Sequence, residues 1–147
     1  MTGMPWAHER VLPCDPGSIS LSRDFVGIHL PEHGLESMVA DAQLVVSELA
    51  TNAVVHARTP FVVVLSRLER SVTLAVSDES NEVPTEVTPG ACAWGQETGR
   101  GLWLVDQLSQ DWGVTALECG NKAVWASFEL PLIPGAQGLD FANRALR

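Results

Sequence analysis

The sequence predicts an α+β fold, a two-layer sandwich in which one mainly antiparallel sheet carries helices on one face. Helical patterns occupy the first part of the chain, and two strand hairpins separated by a third helix follow. Strand patterns joined by short turns pair antiparallel. With 147 residues, of which 46% are hydrophobic and 18% charged, the chain has enough apolar material for one packed domain without disulfides.

The ends of the first strand and the first helix are predicted from prolines and from a candidate N-cap residue. Residues 10–14 predict a short edge strand, because Pro13 would break a central ladder. A first helix then begins with Ser18 as its N-cap and runs to about His29, where a segment starting at Pro31 ends it. His29 and His33 are interpreted as surface histidines near the end of this helix.

The second helix is the clearest element, because residues 35–57 contain neither proline nor glycine. Its apolar stripe consists of Ala42, Val46, Leu49, Ala50, Ala53 and Ala57. Glu48, Asn52 and His56 follow one another at a spacing of four residues on a neighbouring stripe. On that boundary a side chain is held by the core and still open to a ligand. For His56 we expect a structural hydrogen bond near the helix end.

The first hairpin is predicted from Phe61 to Leu68 and from Val72 to Asp78, with a turn between the two strands. The next residues, 79–98, contain prolines and glycines and show no periodicity. Long loops in compact domains often act as lids or binding segments, although a plain surface insertion is the alternative.

A third helix is predicted to begin at Gly99–Gly101 and to end at Leu108 or Gln110. A second hairpin, Val114 to Glu118 and Ala123 to Leu130, completes the sheet. We therefore expect a single domain over residues 1–134 and a mobile tail over residues 135–147.

Charge and cysteine content exclude several classes of protein. The net charge of −9 disfavours direct binding to nucleic acid or to anionic lipid. The three cysteines are far apart and form no CxxC pair, so we expect reduced, mostly buried thiols rather than disulfides or a zinc site. We find no signal-peptide pattern and no stretch near the roughly 20 apolar residues of a membrane span, which predicts a cytoplasmic protein.

Glu48 and Asn52 place a carboxylate and an amide on the same side of a helix. A carboxylate can accept a proton from an attacking hydroxyl, and an amide oxygen suits Mg²⁺. Two solvated helix residues would give the same pattern.

Gly99-Arg100-Gly101 at the predicted start of a helix is a second pattern that would suit a phosphate-binding site. Glycines let the backbone approach a phosphate, the helix N-terminus offers free N–H groups, and Arg100 would add a charged contact. A plain turn is the alternative. Asp78, at a strand end, has the acceptor that an exocyclic amino group of adenine requires, or it is a turn residue.

Three segments, Glu48–Ala57, Val76–Asp78 and Thr98–Val105, in this order resemble the conserved boxes of the GHKL ATPase superfamily. The wording SELATNAVVHA and GRGLWLVDQLSQDWGV is most similar to the anti-sigma regulatory kinases of the actinobacterial, stand-alone group. The resemblance covers about residues 10–131 and implies a Bergerat-type ATP-binding fold.

The resemblance also implies roles for single residues. Glu48 matches the general base, Asn52 the Mg²⁺-binding asparagine, and Asp78 the adenine-binding aspartate. The segment that closes over the phosphates matches Gly99, Arg100, Gly101 and Leu102. The loop before it matches the ATP lid.

The sequence departs from the family pattern in two places. Ser80 and Glu82 stand where the family usually has glycines after the aspartate, with Glu79 between Asp78 and Ser80. The two carboxylates, Glu79 and Glu82, would repel a polyphosphate unless they point away from it. Asn121-Lys122-Ala123-Val124 stands where threonines usually open the last strand, and Lys122 would bring a positive charge there.

The resemblance implies a serine/threonine kinase that uses ATP and Mg²⁺ to phosphorylate a small anti-anti-sigma partner, sequesters a sigma factor, or does both. The altered residues after Asp78 keep two alternatives open. One is a switch that binds ATP without phosphotransfer, and the other is a protein-interaction module. Relatives often form homodimers through a sheet edge or the first helix, so a homodimer is an open expectation.

Overall fold

The computed structural model describes residues 4–80, 97–117 and 120–130, and of residues 97–101 it describes the backbone. The strands are β1 (Trp6–Leu12), β2 (Phe61–Leu68), β3 (Ser71–Asp78), β4 (Asp111–Ala116) and β5 (Lys122–Glu129). The helices are α1 (Gly17–Glu32), α2 (Val39–Thr51) and α3 (Glu97–Leu108), with a 3₁₀ turn at Glu36–Met38 and a π-helical segment at Asn52–Ala57.

The five strands form one antiparallel sheet in the order β1-β2-β3-β5-β4. On β2 and β3 every second residue is buried, as expected for strands that turn one face to a core. Helix α2 packs against β3 and β5 and lies between α1 and α3. The predicted α+β fold, with an antiparallel sheet and helices on its inner face, is confirmed.

The first strand and helix differ from the prediction in their bounds. The edge strand ends at Leu12, before Pro13, because proline cannot donate to the ladder. Ser18 is not the N-cap, since Pro16 holds that position and the Ser18 hydroxyl donates to the Pro13 carbonyl at 2.8 Å.

Helix α1 also continues beyond the predicted end and includes Pro31. It closes with two backbone bonds, from Leu35 N–H to the Leu30 carbonyl at 2.9 Å and from Gly34 N–H to the Pro31 carbonyl at 3.0 Å. Gly34 has φ +73°, and the two bonds form a Schellman motif, which requires a residue in the left-handed conformation at this position. Pro31 lacks one helical donor but does not prevent this closure.

The predicted second helix is found over its expected span, although it changes type along its length. The stretch Glu36–Ala57, with 22 residues and a mean hydropathy of 1.2, is long and apolar enough to cross a membrane by length and composition alone. This corrects the expectation that no segment reaches that threshold. Six of its residues belong to the domain core, namely Ala42, Val45, Val46, Leu49, Ala50 and Ala53. A core helix passes the same test, so the finding is weak evidence for a membrane.

Helix α3 begins at Glu97, earlier than predicted, so Gly99 and Gly101 lie inside its first turns rather than in a loop before it. The second hairpin is confirmed, but its bounds differ from the prediction: β4 begins at Asp111 rather than Val114, and β5 begins at Lys122 and ends at Glu129. Most of the predicted lid and the tail of residues 135–147 lie outside the described residues, as do Cys92 and Cys119. Cys14 is exposed, contrary to the expectation of buried thiols.

Candidate nucleotide-binding site

Glu48 and Asn52 lie where α2 gives way to the π segment. Both are half-buried, and they are separated by one α-helical turn because α2 is regular up to Thr51. From Asn52 onward the helix widens, and the Arg58 N–H bonds to the Ala53 carbonyl at 2.8 Å, five residues back. Short π-helical segments are frequent at functional sites.

The wider turn separates His56 from the other two residues. In a π segment a spacing of four residues is no longer one full turn, so His56 leaves the predicted stripe. It is exposed, and it makes no hydrogen bond within the described ranges. The structural bond expected for His56 is therefore absent from this part of the chain.

The Asn52 side chain carries a buried polar atom without a partner. Among the described residues, its Nδ2 is the one buried side-chain nitrogen or oxygen that makes no hydrogen bond. An unmade bond at a buried amide costs about 1–3 kcal/mol. Such a group is either a defect in the fold or a position that a ligand completes.

Glu48 lies in a partly desolvated position on the same helix. Burial raises the pKa of its carboxyl above the ordinary value of 4.5, because water stabilises the charged form less well there. A raised pKa brings a carboxylate closer to the range in which it accepts a proton from a hydroxyl.

Asp78 ends β3 and is paired with Lys122, which begins β5 directly opposite. The Lys122 ammonium donates to both carboxylate oxygens, at 2.8 Å to Oδ1 and 2.7 Å to Oδ2. Both side chains are buried, with 3% and 6% exposed. The Ser80 N–H also donates to Oδ1, at 2.9 Å. Because an ionised carboxylate has about four acceptor positions, one position on Oδ2 has no donor among the described residues.

The helices and the strand on which these residues lie pack against one another. Helix α2 and the π segment both contact β3, the strand that ends at Asp78, and α2 also contacts α3. In α3 the Leu102 side chain is 3% exposed and so packs inward, whereas the side chain of Arg100 lies outside the described part. The structure thus places Glu48, Asn52 and Asp78 on adjoining elements, with the Gly99–Leu102 backbone on the helix beside them.

An open depression lies at the other end of the sheet and contains none of the predicted site residues. It is lined by Leu68, Glu69, Arg70, Ser71, Gln110, Asp111, Ser127 and Glu129. Its position beside the β2–β3 turn places it a full strand length from Asp78.

The residues fit a nucleotide with Mg²⁺ unequally. The unpaired Asn52 Nδ2 is a donor that suits a ligand oxygen, such as one of a phosphate, and the oxygen of the same amide is of the type that Mg²⁺ binds. Glu48 adds a carboxylate on the same helix. Asp78 keeps one acceptor position for an amino group, but it is already neutralised by Lys122.

Lys122 is the site residue whose position sequence reasoning did not find. The sequence places it near the phosphates, whereas the structure buries it against Asp78. The available signal was that Lys122 is the sole lysine of the chain and begins a strand of otherwise alternating apolar residues.

Comparison with known proteins agrees with this architecture. Residues 12–128 match the model of the histidine kinase-like ATPase domain. No curated protein matches the chain in sequence.

One similar solved structure is the crystal structure of the RsbU and RsbW domains of Rv1364c from Mycobacterium tuberculosis. The match has a TM-score of 0.62 and 19% sequence identity, and it covers 85% of this chain but 32% of the other. At that identity the similarity concerns the fold, and this chain spans about a third of the larger protein. The family match covers most of the chain and includes every predicted site residue, so the chain belongs to the histidine kinase-like ATPase domain family.

Proposed function

We propose that the chain binds ATP with Mg²⁺ and acts as a serine/threonine kinase of the anti-sigma type in the cytoplasm. Its substrate is a serine hydroxyl on a small anti-anti-sigma protein, and its other partner is a sigma factor. The family match supports an ATP-binding domain, and the residue pattern of Glu48–Ala57 and Thr98–Val105 supports the anti-sigma type.

The placement of Glu48 and Asn52 one helical turn apart is the single observation that supports the proposal most. Asn52 would hold the metal through its amide oxygen, and a bound Mg²⁺ would supply positive charge to the transferred phosphate. Glu48 accepts the proton of the attacking serine hydroxyl, and its raised pKa suits that role. A bond forms between the γ-phosphorus and the serine oxygen. The bond between the γ-phosphorus and the β,γ-bridging oxygen breaks, and that oxygen leaves with ADP.

Phosphotransfer tests this function. The chain is incubated with ATP labelled at the γ-phosphate and with purified anti-anti-sigma proteins. The expected result is label on a partner serine with the wild-type chain and a loss of about 100-fold or more with Glu48→Gln, since the general base is removed. Glu36→Gln, an exposed position before α2, is the matched control and keeps the wild-type rate.

A second function, an ATP-dependent switch without phosphotransfer, is favoured by one specific observation. Lys122 already neutralises Asp78, so adenine would bind to a carboxylate that is part of an ion pair rather than to a free one. ATP binding with no labelled partner would favour the switch. If neither ATP binding nor transfer occurs, the third reading, a protein-interaction module, replaces both.

A further inference from the structure

A cluster of histidines joins the edge strand β1 to the end of α1, apart from the residues of the candidate nucleotide site. His8 lies on β1, His29 lies in the last turn of α1, and His33 follows that helix directly. These are three of the four histidines of the chain. The Schellman ending at Gly34 fixes the backbone that carries His33.

The nitrogen atoms of the cluster approach one another closely. His8 Nε2 lies 2.9 Å from His33 Nε2, so one ring donates a hydrogen bond to the other. His29 Nδ1 lies 2.8 Å from a Glu32 carboxylate oxygen. Potential ligand atoms of His8, His29 and Glu32 all lie within 4.8 Å of one another.

Imidazole nitrogens and a carboxylate oxygen are the side-chain atoms that coordinate transition metals in proteins.

We propose that His8, His29 and His33, together with Glu32, bind one divalent transition-metal ion of the Zn²⁺ class. Imidazole ligands with a carboxylate suit Zn²⁺, whereas Mg²⁺ and Ca²⁺ prefer oxygen alone. This site is distinct from the Mg²⁺ position proposed at Asn52, and its test does not depend on ATP.

The metal-free arrangement differs from that of a zinc site in two respects. Two nitrogens bound at 2.0–2.1 Å in a tetrahedron are about 3.3 Å apart, so His8 and His33 separate by a few tenths of an ångström. The His29 ring, stacked on His8 at 4.0 Å, turns so that its lone pair converges with theirs.

Zinc binding to the metal-free full chain, without a histidine tag, tests the site directly. Competition with a chromophoric chelator is expected to give one tightly bound Zn²⁺ per chain. At a concentration roughly 100 times Kd, Zn²⁺ raises the Tm by about 5–10 °C. A Co²⁺ titration adds the absorption bands of a tetrahedral site with nitrogen ligands.

Phenylalanine substitutions separate coordination from ring packing. His8→Phe and His33→Phe keep an aromatic ring beside Trp6 and His29 but remove the ligand nitrogens. Each is expected to weaken Zn²⁺ binding by tenfold or more and to remove the Co²⁺ bands. His56→Phe, at the exposed fourth histidine, is the control and leaves both unchanged.

Three results would overturn the site. One is a wild-type chain that takes up no Zn²⁺ at micromolar concentration, and a second is wild-type affinity in both His8→Phe and His33→Phe, as binding through cysteines would give. If either variant fails to fold, the absence of a Zn²⁺-dependent rise in wild-type Tm is the third. Each would leave the three histidines and Glu32 as a cluster held by ring stacking and hydrogen bonds.

Discussion

The two halves of the candidate nucleotide site differ in how their polar groups are satisfied. At the end of β3, Asp78 is buried and bonded to Lys122 and to the Ser80 backbone. At the end of α2, Asn52 has a buried amide nitrogen without a partner, and Glu48 is desolvated. In the first half the buried charges are paired without a ligand, whereas the second half keeps a buried donor unpaired among the described residues until a ligand binds.

The largest effect is expected at the satisfied half. Lys122→Met leaves the Asp78 carboxylate buried without its cation, and breaking a buried pair in this way costs about 3–5 kcal/mol. The free energy of unfolding from urea titrations should fall by that amount. Arg10→Met, at an exposed position on β1, should change it by less than about 0.5 kcal/mol.

The double variant Asp78→Asn with Lys122→Met sharpens this expectation. Because the unpaired charge is gone, its loss should be clearly smaller than that of Lys122→Met alone. Equal losses in the single and double variants would mean that packing, and not the ion pair, accounts for the effect.

The unsatisfied half should respond in the opposite direction. Asn52→Leu removes the unpartnered amide and is expected to stabilise the free chain by about 1 kcal/mol. Gln43→Leu is the matched control, because Gln43 Nε2 already donates to the Arg23 carbonyl at 3.1 Å. That control should lose stability in the same urea titration. Destabilisation by Asn52→Leu would contradict the contrast between the two halves.

The smallest effect concerns Glu48 and depends on pH. Since burial raises the pKa of Glu48 in the folded state, protonation favours folding. The associated stability is fully present below the unfolded value of 4.5 and is lost as pH rises through the higher folded pKa. Glu48→Gln should therefore gain a little in Tm relative to wild type as pH rises through that window. Thermal melts across this pH range, with Glu36→Gln as control, measure the difference, and a flat difference would contradict it.

Much of the fold follows from local patterns in the sequence. Period-two burial on β2 and β3 predicts the hairpin, and the apolar stripe of α2 predicts the core helix. Boundaries are predicted less well, because they depend on single bonds. Ser18 bonds backward to Pro13 instead of capping α1, and Gly34 lets that helix continue past Pro31.

Only the part of the site that lies on a single helix could be predicted from the spacing of residues in the sequence. Glu48 and Asn52 are one turn apart in the sequence and remain so in the structure. The partner of Asp78 depends on the register of β3 with β5, which local patterns do not contain. For the same reason local patterns do not predict the convergence of His8 with His29 and His33, since it requires β1 to pack against α1.

Calorimetric titration of the chain with ATP in the presence of Mg²⁺ tests the central claim most directly. The account predicts saturable binding of one ATP per chain, lost when Mg²⁺ is chelated and in Asn52→Leu, but kept in Gln43→Leu. Unchanged ATP affinity in Asn52→Leu, or no binding by the wild-type chain with Mg²⁺ present, would contradict it.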